Sequence, residues 1–120
     1  MTISLKFEQG INQITVSSRA TLEDIVVFSR ENMSSLQGKP SLWDFEAFDV
    51  SAVNTKTVSA YIQKTIRINQ PRRGDKAAHF ASRDDIFGLL RMYQQLRELD
   101  GKVIVGIFRS RQEALDWLAD

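Results

Sequence analysis

Lys76-Ala77-Ala78-His79-Phe80-Ala81, Ser82-Arg83-Asp84-Asp85, Ile86 through Leu96, Asp100-Gly101, Val103-Ile104-Val105-Gly106-Ile107-Phe108 and Ser110-Arg111-Gln112-Glu113 follow one another without a linker. This C-terminal stretch decides the fold. Lys76–Ala81 is short and made of small residues with His79 and Phe80, which predicts a buried strand. Ser82-x-x-Asp85 places a side-chain oxygen and an acid where a helix has free amides. Ile86, Leu89, Leu90, Tyr93 and Leu96 then recur near a 3.6-residue period, with Arg91 and Arg97 toward the end that favours cations. Asp100-Gly101 marks a stop and turn. Val103–Phe108 is β-branched and bulky, as expected of a strand covered on both faces. Ser110-x-x-Glu113 predicts a capping box opening a last helix with Ala114, Leu115, Trp117 and Leu118. Strand, helix, strand, helix is the signature of parallel strands joined by helical crossovers.

Working upstream, Gln70-Pro71-Arg72-Arg73-Gly74-Asp75 is a surface break. Before it, Val58, Tyr61, Ile62 and Ile66 form the apolar face of another helix. Ser51, near Asn54, Thr55 and Thr57, stands at its predicted start, where a serine ordinarily serves as N-cap and where an anion could also be held. Leu42-Trp43-Asp44-Phe45 reads as a short central strand. Gly38-Lys39-Pro40 ends the helix before it, which starts at Thr21-x-x-Asp24 and runs through Leu22, Ile25, Val26, Ser29, Met33 and Leu36. At the N-terminus Ile3, Leu5 and Phe7 alternate with Ser4, Lys6 and Glu8, and after Gln9-Gly10 Ile14 and Val16 alternate likewise, which predicts an antiparallel hairpin. The expected fold class is therefore α/β: a mixed five-stranded sheet, N-terminal antiparallel hairpin plus parallel strands, flanked by four helices, in one domain over residues 1–120.

Composition limits the function classes. With 120 residues there is room for one core. Hydrophobic residues make up 42% and charged residues 26%, ordinary globular values that exclude a disordered chain. A net charge of +1 gives no field to draw nucleic acid, and no apolar run approaches the roughly 20 residues of a membrane span. The absence of cysteine removes disulfides and thiolate metal sites and fits a reducing compartment, so a cytoplasmic location is expected.

No G-x-G-x-x-G, P-loop, H-E-x-x-H or G-x-S-x-G occurs. His79 is the single histidine, which cannot build a His-cluster metal site. It could be a general base, yet inside an Ala-rich strand a structural role is the ordinary one. Asp44, Glu46 and Asp49 could work as paired acids or hold a divalent cation, or else accept amides at a strand end. Lys64, Arg67, Arg72, Arg73 and Lys76 could meet phosphates or form a solvated face. Trp43, Phe45 and Phe48 could line a ligand pocket or simply pack the core. No cofactor is expected. Two copies could pair through an exposed sheet edge or the outer face of the third helix, with Phe87 and Met92.

Leu42-Trp43-Asp44-Phe45 and the trailing Phe48-Asp49-Val50-Ser51 resemble the third strand and following loop of STAS-like domains. Lys76–Ala81, Asp85-Ile86-Phe87-Gly88-Leu89-Leu90-Arg91-Met92-Tyr93, Val105–Ser110 and Glu113-Ala114-Leu115-Asp116-Trp117-Leu118 resemble the SpoIIAA-like (STAS/SEC14-type) family of small bacterial proteins. The resemblance spans the chain and implies a non-enzymatic protein-interaction or regulatory domain of the anti-sigma-factor-antagonist kind. In such modules a serine at the start of the helix after the third strand is phosphorylated, and Ser51 lies nearest that place. Where the family carries Asp-Ser-Ser-Gly, this chain reads Asp49-Val50-Ser51-Ala52. Lipid-carrying relatives imply the alternative, a pocket for a small apolar or anionic ligand near the end of the third strand. The candidate interaction or ligand residues are Trp43, Phe45, Phe48, Asp49, Ser51 and Asn54.

Overall fold

The computed structural model describes residues 2–51, 53–98 and 103–120. Five strands, β1 (Ile3–Glu8), β2 (Ile11–Val16), β3 (Ser41–Asp44), β4 (Lys76–Phe80) and β5 (Ile104–Phe108), form one sheet in the order β1-β2-β3-β4-β5. β1 and β2 are antiparallel, and every later neighbour is parallel. The helices are α1 (Leu22–Glu31), α2 (Met33–Leu36), α3 (Thr55–Ile68), α4 (Asp84–Glu98) and α5 (Arg111–Ala119), with a 3₁₀ turn at Gln70–Arg72. This is the mixed sheet with flanking helices that the alternating periodicities predict, with β3 in the middle.

The hairpin turns on two residues. Gln9 and Gly10 have φ of 54° and 77°. A two-residue loop needs positive φ at both positions, because only the mirror-image turns match strand twist. Glu8 therefore faces Ile11, and the register runs back to Ile3 opposite Val16.

The sheet grows in one direction from β2 to β5. Right-handed crossovers must then put α1, α3 and α4 on the same face. That face carries the main core, with Ile14, Val16, Ile25, Trp43, Phe45, Ala77, Ile86, Leu90 and Ile107 buried together. Among the described residues α5 alone covers the other face, where Ala114 meets Leu42, Ala78 and Phe80 and half-buried Phe108 and Trp117 close the edge. α5 lies over β3, β4 and β5. The outer face of the hairpin stays polar, with Lys6 and Glu8 paired at 3.1 Å.

Three expectations need correction. The helix expected from Thr21 to Leu36 is two helices, which raises the flanking set from four to five. Asn32 breaks it, since its side-chain amide and its own N–H both donate to the Phe28 carbonyl. β5 is the edge strand of the sheet, covered as expected by α4 on one face and α5 on the other, and only Ile104 at its start is exposed. Ser82 does not cap α4; its N–H and hydroxyl both donate to the Glu46 carboxylate. At Ser110 the hydroxyl accepts from the Glu113 N–H at 3.2 Å and donates to the Glu113 carboxylate at 3.1 Å, so the reciprocal bond runs to the hydroxyl. The Leu96 side chain and the Asp100-Gly101 turn lie outside the described residues.

Candidate functional site

Two helix starts flank the C-terminal ends of β2 and β3. Thr21 caps α1: its Oγ1 accepts from the Asp24 N–H at 3.1 Å, and Asp24 accepts from the Thr21 N–H at 2.9 Å. Asn54 caps α3 in the same reciprocal way with Thr57, at 3.0 and 2.9 Å. Ser51 is thus not the cap. It lies three residues upstream in an exposed loop, where its N–H donates to Asp49 at 2.9 Å. That bond and the Ser51 hydroxyl, with Arg83 nearby, hold the Asp49 carboxyl below its usual range.

Between these helix starts is an open cleft of about 470 Å³. Its floor is apolar, with Leu22, Val26, Phe48 and Tyr61, and its rim carries Arg19, Asp49, Ser51 and Thr57. At its far end Lys64 of α3 reaches Glu23 of α1 at 2.9 Å. This exposed pair contributes little stability, on the order of 0–1 kcal/mol. Burial pushes the Tyr61 phenol well above its usual value, so it stays protonated.

The six candidate residues therefore separate. Phe48, Asp49 and Ser51 line the cleft. Asn54 holds the helix beside it. Trp43 and Phe45 are core residues instead, about 5% exposed each. Trp43 stacks on His79 at 5.6 Å with nearly parallel planes, and Phe45 stacks on the same ring at 5.6 Å. Tyr93 approaches it at 5.5 Å. Beside these rings lies a small pocket of about 30 Å³, lined by Phe45, Phe48, His79 and Tyr93 among others. That is roughly one water's share of liquid volume, far below the 300 Å³ or so of an organic ligand site.

His79 and Asp44 cannot act together. Trp43 pairs with His79 and Asp44 with Phe80, so strand alternation sends the two side chains to opposite faces. Burial first, then the Arg72 and Arg97 charges, push the His79 imidazole down to about 3, so it is neutral at physiological pH. A hydrogen bond with the Ala77 backbone opposes this shift.

The acids after β3 each have a different partner. Asp44 accepts from the Glu46 N–H at 2.9 Å and pairs with Arg111 at 3.1 Å. Glu46 holds Ser82, and Asp49 holds Ser51. Among the described residues no group of three or more acids and histidines is placed to hold a metal ion. The basic run is likewise dispersed. Arg72 is buried, donating to the Lys39 carbonyl at 3.1 Å, to Ser41 at 3.3 Å and to Asp75 at 3.4 Å. Lys76 reaches the carbonyls of Trp117 and Asp120 at the end of α5. On α4, Arg97 is interior, and the Phe87 ring is covered by the Arg109 guanidinium at 3.8 Å.

Leu22, Arg19, Glu23 and Lys64 belong to the cleft and carry no sequence signal for it. They come together only because α1 and α3 pack side by side. The fold and site define a singly wound α/β domain with a polar-rimmed cleft at the C-terminal ends of its first parallel strands. No protein-family model, curated protein or solved structure gives a significant match to the chain. No helix among the described residues is long and apolar enough to cross a membrane.

Proposed function

We propose that this chain is a non-enzymatic protein-interaction or regulatory domain of the STAS-like kind, acting in a bacterial cytoplasm. Its contact surface is the loop of residues 48–54 with the cleft beside it. One observation carries the reading: an exposed Asp49–Ser51 turn is presented on two capped helix starts at the C-terminal ends of β2 and β3. Loops on the strand carboxyl ends of open α/β sheets are the usual ligand edge. The Ser51 hydroxyl is accessible to a modifying enzyme, and a phosphate there would stand beside ionised Asp49, where like charges repel. Phosphorylation would thus disfavour any acidic partner held at this turn. The test is capture of partners from the source cell with wild type and Ser51→Asp, followed by hydrogen exchange on any complex. Loss of the partner from the variant and protection of residues 48–57 in the wild-type complex are expected. Equal capture by both proteins, or protection elsewhere, would refute the reading.

A second reading, carriage of a small ligand, is favoured by the cleft volume, which falls in the range of small-molecule sites. Native mass spectrometry of freshly purified protein separates the two. A co-purifying small mass supports carriage, and a clean apoprotein mass opposes it.

A further inference from the structure

The two edges of the sheet differ. On β5 the Gln94 side chain of α4 donates to the Val105 carbonyl at 3.0 Å and so occupies that edge. On β1 the Thr2 carbonyl accepts from the Ser17 N–H at 2.9 Å, which fixes the alternation of the ladder. Thr2, Ser4, Lys6 and Glu8 turn their backbone groups toward β2, and Ile3, Leu5 and Phe7 turn theirs outward. An outward row of N–H and C=O groups is a template for another strand. Phe7 is 56% exposed at this edge. Beside the edge runs a groove of about 620 Å³ between β1 and α1, lined by Ile3, Leu5, Val27 and Phe28, with Asp24 and Glu31 on its wall.

We infer that β1 pairs antiparallel with β1 of a second copy about a two-fold axis at Leu5, joining two sheets into one of ten strands. This interface is independent of the loop proposed above. Three observations select a second copy as the occupant and fix its register. With Leu5 opposite Leu5, Ile3 faces Phe7 of the partner and Phe7 faces its Ile3, so all three outward residues meet outward residues and every exposed backbone group finds a partner. The apolar positions of one strand then lie against those of the other, and each Phe7 enters the other copy's groove beside Ile3. Charge agrees as well. Lys39 sits over the Phe7 ring at 5.0 Å and travels with it toward the Asp24 end of the facing groove. Lys6 meets Ser4 across the axis. Sliding the pair by one residue on each strand toward the turn would put Lys6 opposite Lys6, which like-charge repulsion disfavours, and sliding it the other way would leave Phe7 without an outward partner among Ile3, Leu5 and Phe7.

The register makes the test specific, because Ser4 is exposed and strand alternation puts it on the sheet face opposite α1. Ser4→Lys sets two lysines against Lys6 of the facing copies, and Ser4→Glu sets two carboxylates there. Sedimentation equilibrium should show a wild-type dimer in the micromolar range at low salt. Ser4→Lys should dissociate it at least tenfold more readily, and Ser4→Glu should tighten it severalfold. Far-ultraviolet circular dichroism at low concentration checks that both variants fold. Amide exchange at Ile3, Leu5 and Phe7 should slow as protein concentration rises, while that of β5 stays constant. A wild-type chain that is monomeric at several hundred micromolar would overturn the inference. So would a dimer indifferent to both substitutions, or one whose β1 amides exchange at the same rate at every concentration.

Discussion

Acidification should destabilise this protein through one side chain before its carboxylates are titrated. His79 is 5% exposed, enclosed by the rings of Trp43, Phe45 and Tyr93, and close to the Arg72 and Arg97 charges. Its imidazole titrates at 6.5 in an unperturbed chain and at about 3 in the fold. Below 6.5 the unfolded chain binds a proton that the native state refuses, so stability falls as pH falls. The contribution is complete above about pH 6.5, shrinks steadily below it, and is gone below about pH 3. One pH unit corresponds to about 1.36 kcal/mol. Moving from pH 7.5 to pH 5 therefore costs about 2 kcal/mol, and the full window about 5 kcal/mol. With one histidine in the chain, the window between pH 6.5 and 5 belongs to this group alone. Urea unfolding at pH 7.5, 6.5, 5.8 and 5.0 would read it. With a urea slope of about 1–3 kcal/mol per molar, the midpoint should drop by roughly 1 M between the extremes. His79→Phe, which leaves an aromatic ring beside the small pocket, should abolish the slope over that range. A wild-type midpoint that is flat from pH 7.5 to 5, or a variant with an unchanged slope, would refute the reasoning.

Two further substitutions test the architecture. Gly106→Ala places a Cβ at 2.7 and 2.9 Å from the Phe108 ring and 3.1 Å from Trp117; the packed rings under α5 must shift, which should cost about 1–3 kcal/mol and change the Trp117 fluorescence. A cost near zero would mean those rings are loosely held. Asn54→Ala should cost about 1 kcal/mol in urea unfolding by removing the α3 cap, while Ser51→Ala should stay within about 0.5 kcal/mol. The reverse ranking would return the cap to Ser51.

Much of the fold was legible because its signals are local. Period-two alternation in Ile3–Phe7 and the Gln9-Gly10 turn specify the hairpin, and the Thr21-Asp24 box forms as expected. The Ser82-Asp85 pattern misled because a helix start competes with tertiary partners, and Glu46, distant in sequence, takes the serine. Ser51 misled for a nearer reason. Asn54-x-x-Thr57 satisfies two backbone groups reciprocally, and Ser51 is left to a turn with Asp49. β5 has the composition of a covered strand, and α4 and α5 do cover its two faces, but composition cannot say which strand ends the sheet. The candidate site was only half legible. Phe48, Asp49 and Ser51 sit where a strand-end loop should, but the opposing wall of α1 depends on helix packing. Trp43 and Phe45 are indistinguishable from pocket aromatics until β4 brings His79 beneath them. Arg72, in a run that reads as solvated charge, is interior because the Lys39 carbonyl, Ser41 and Asp75 together replace its water.

The one-directional winding of the sheet has a further cost. Three crossovers roof one side while the chain is still being laid down, but the underside of Leu42, Ala78 and Phe80 waits for α5. Until that nine-residue segment docks, the half-made domain carries a greasy floor that any passing chaperone or sister molecule can grip. The final helix thus acts as a closing hatch, and a lesion at Ala114 or Trp117 would trouble assembly more than its small contact area suggests.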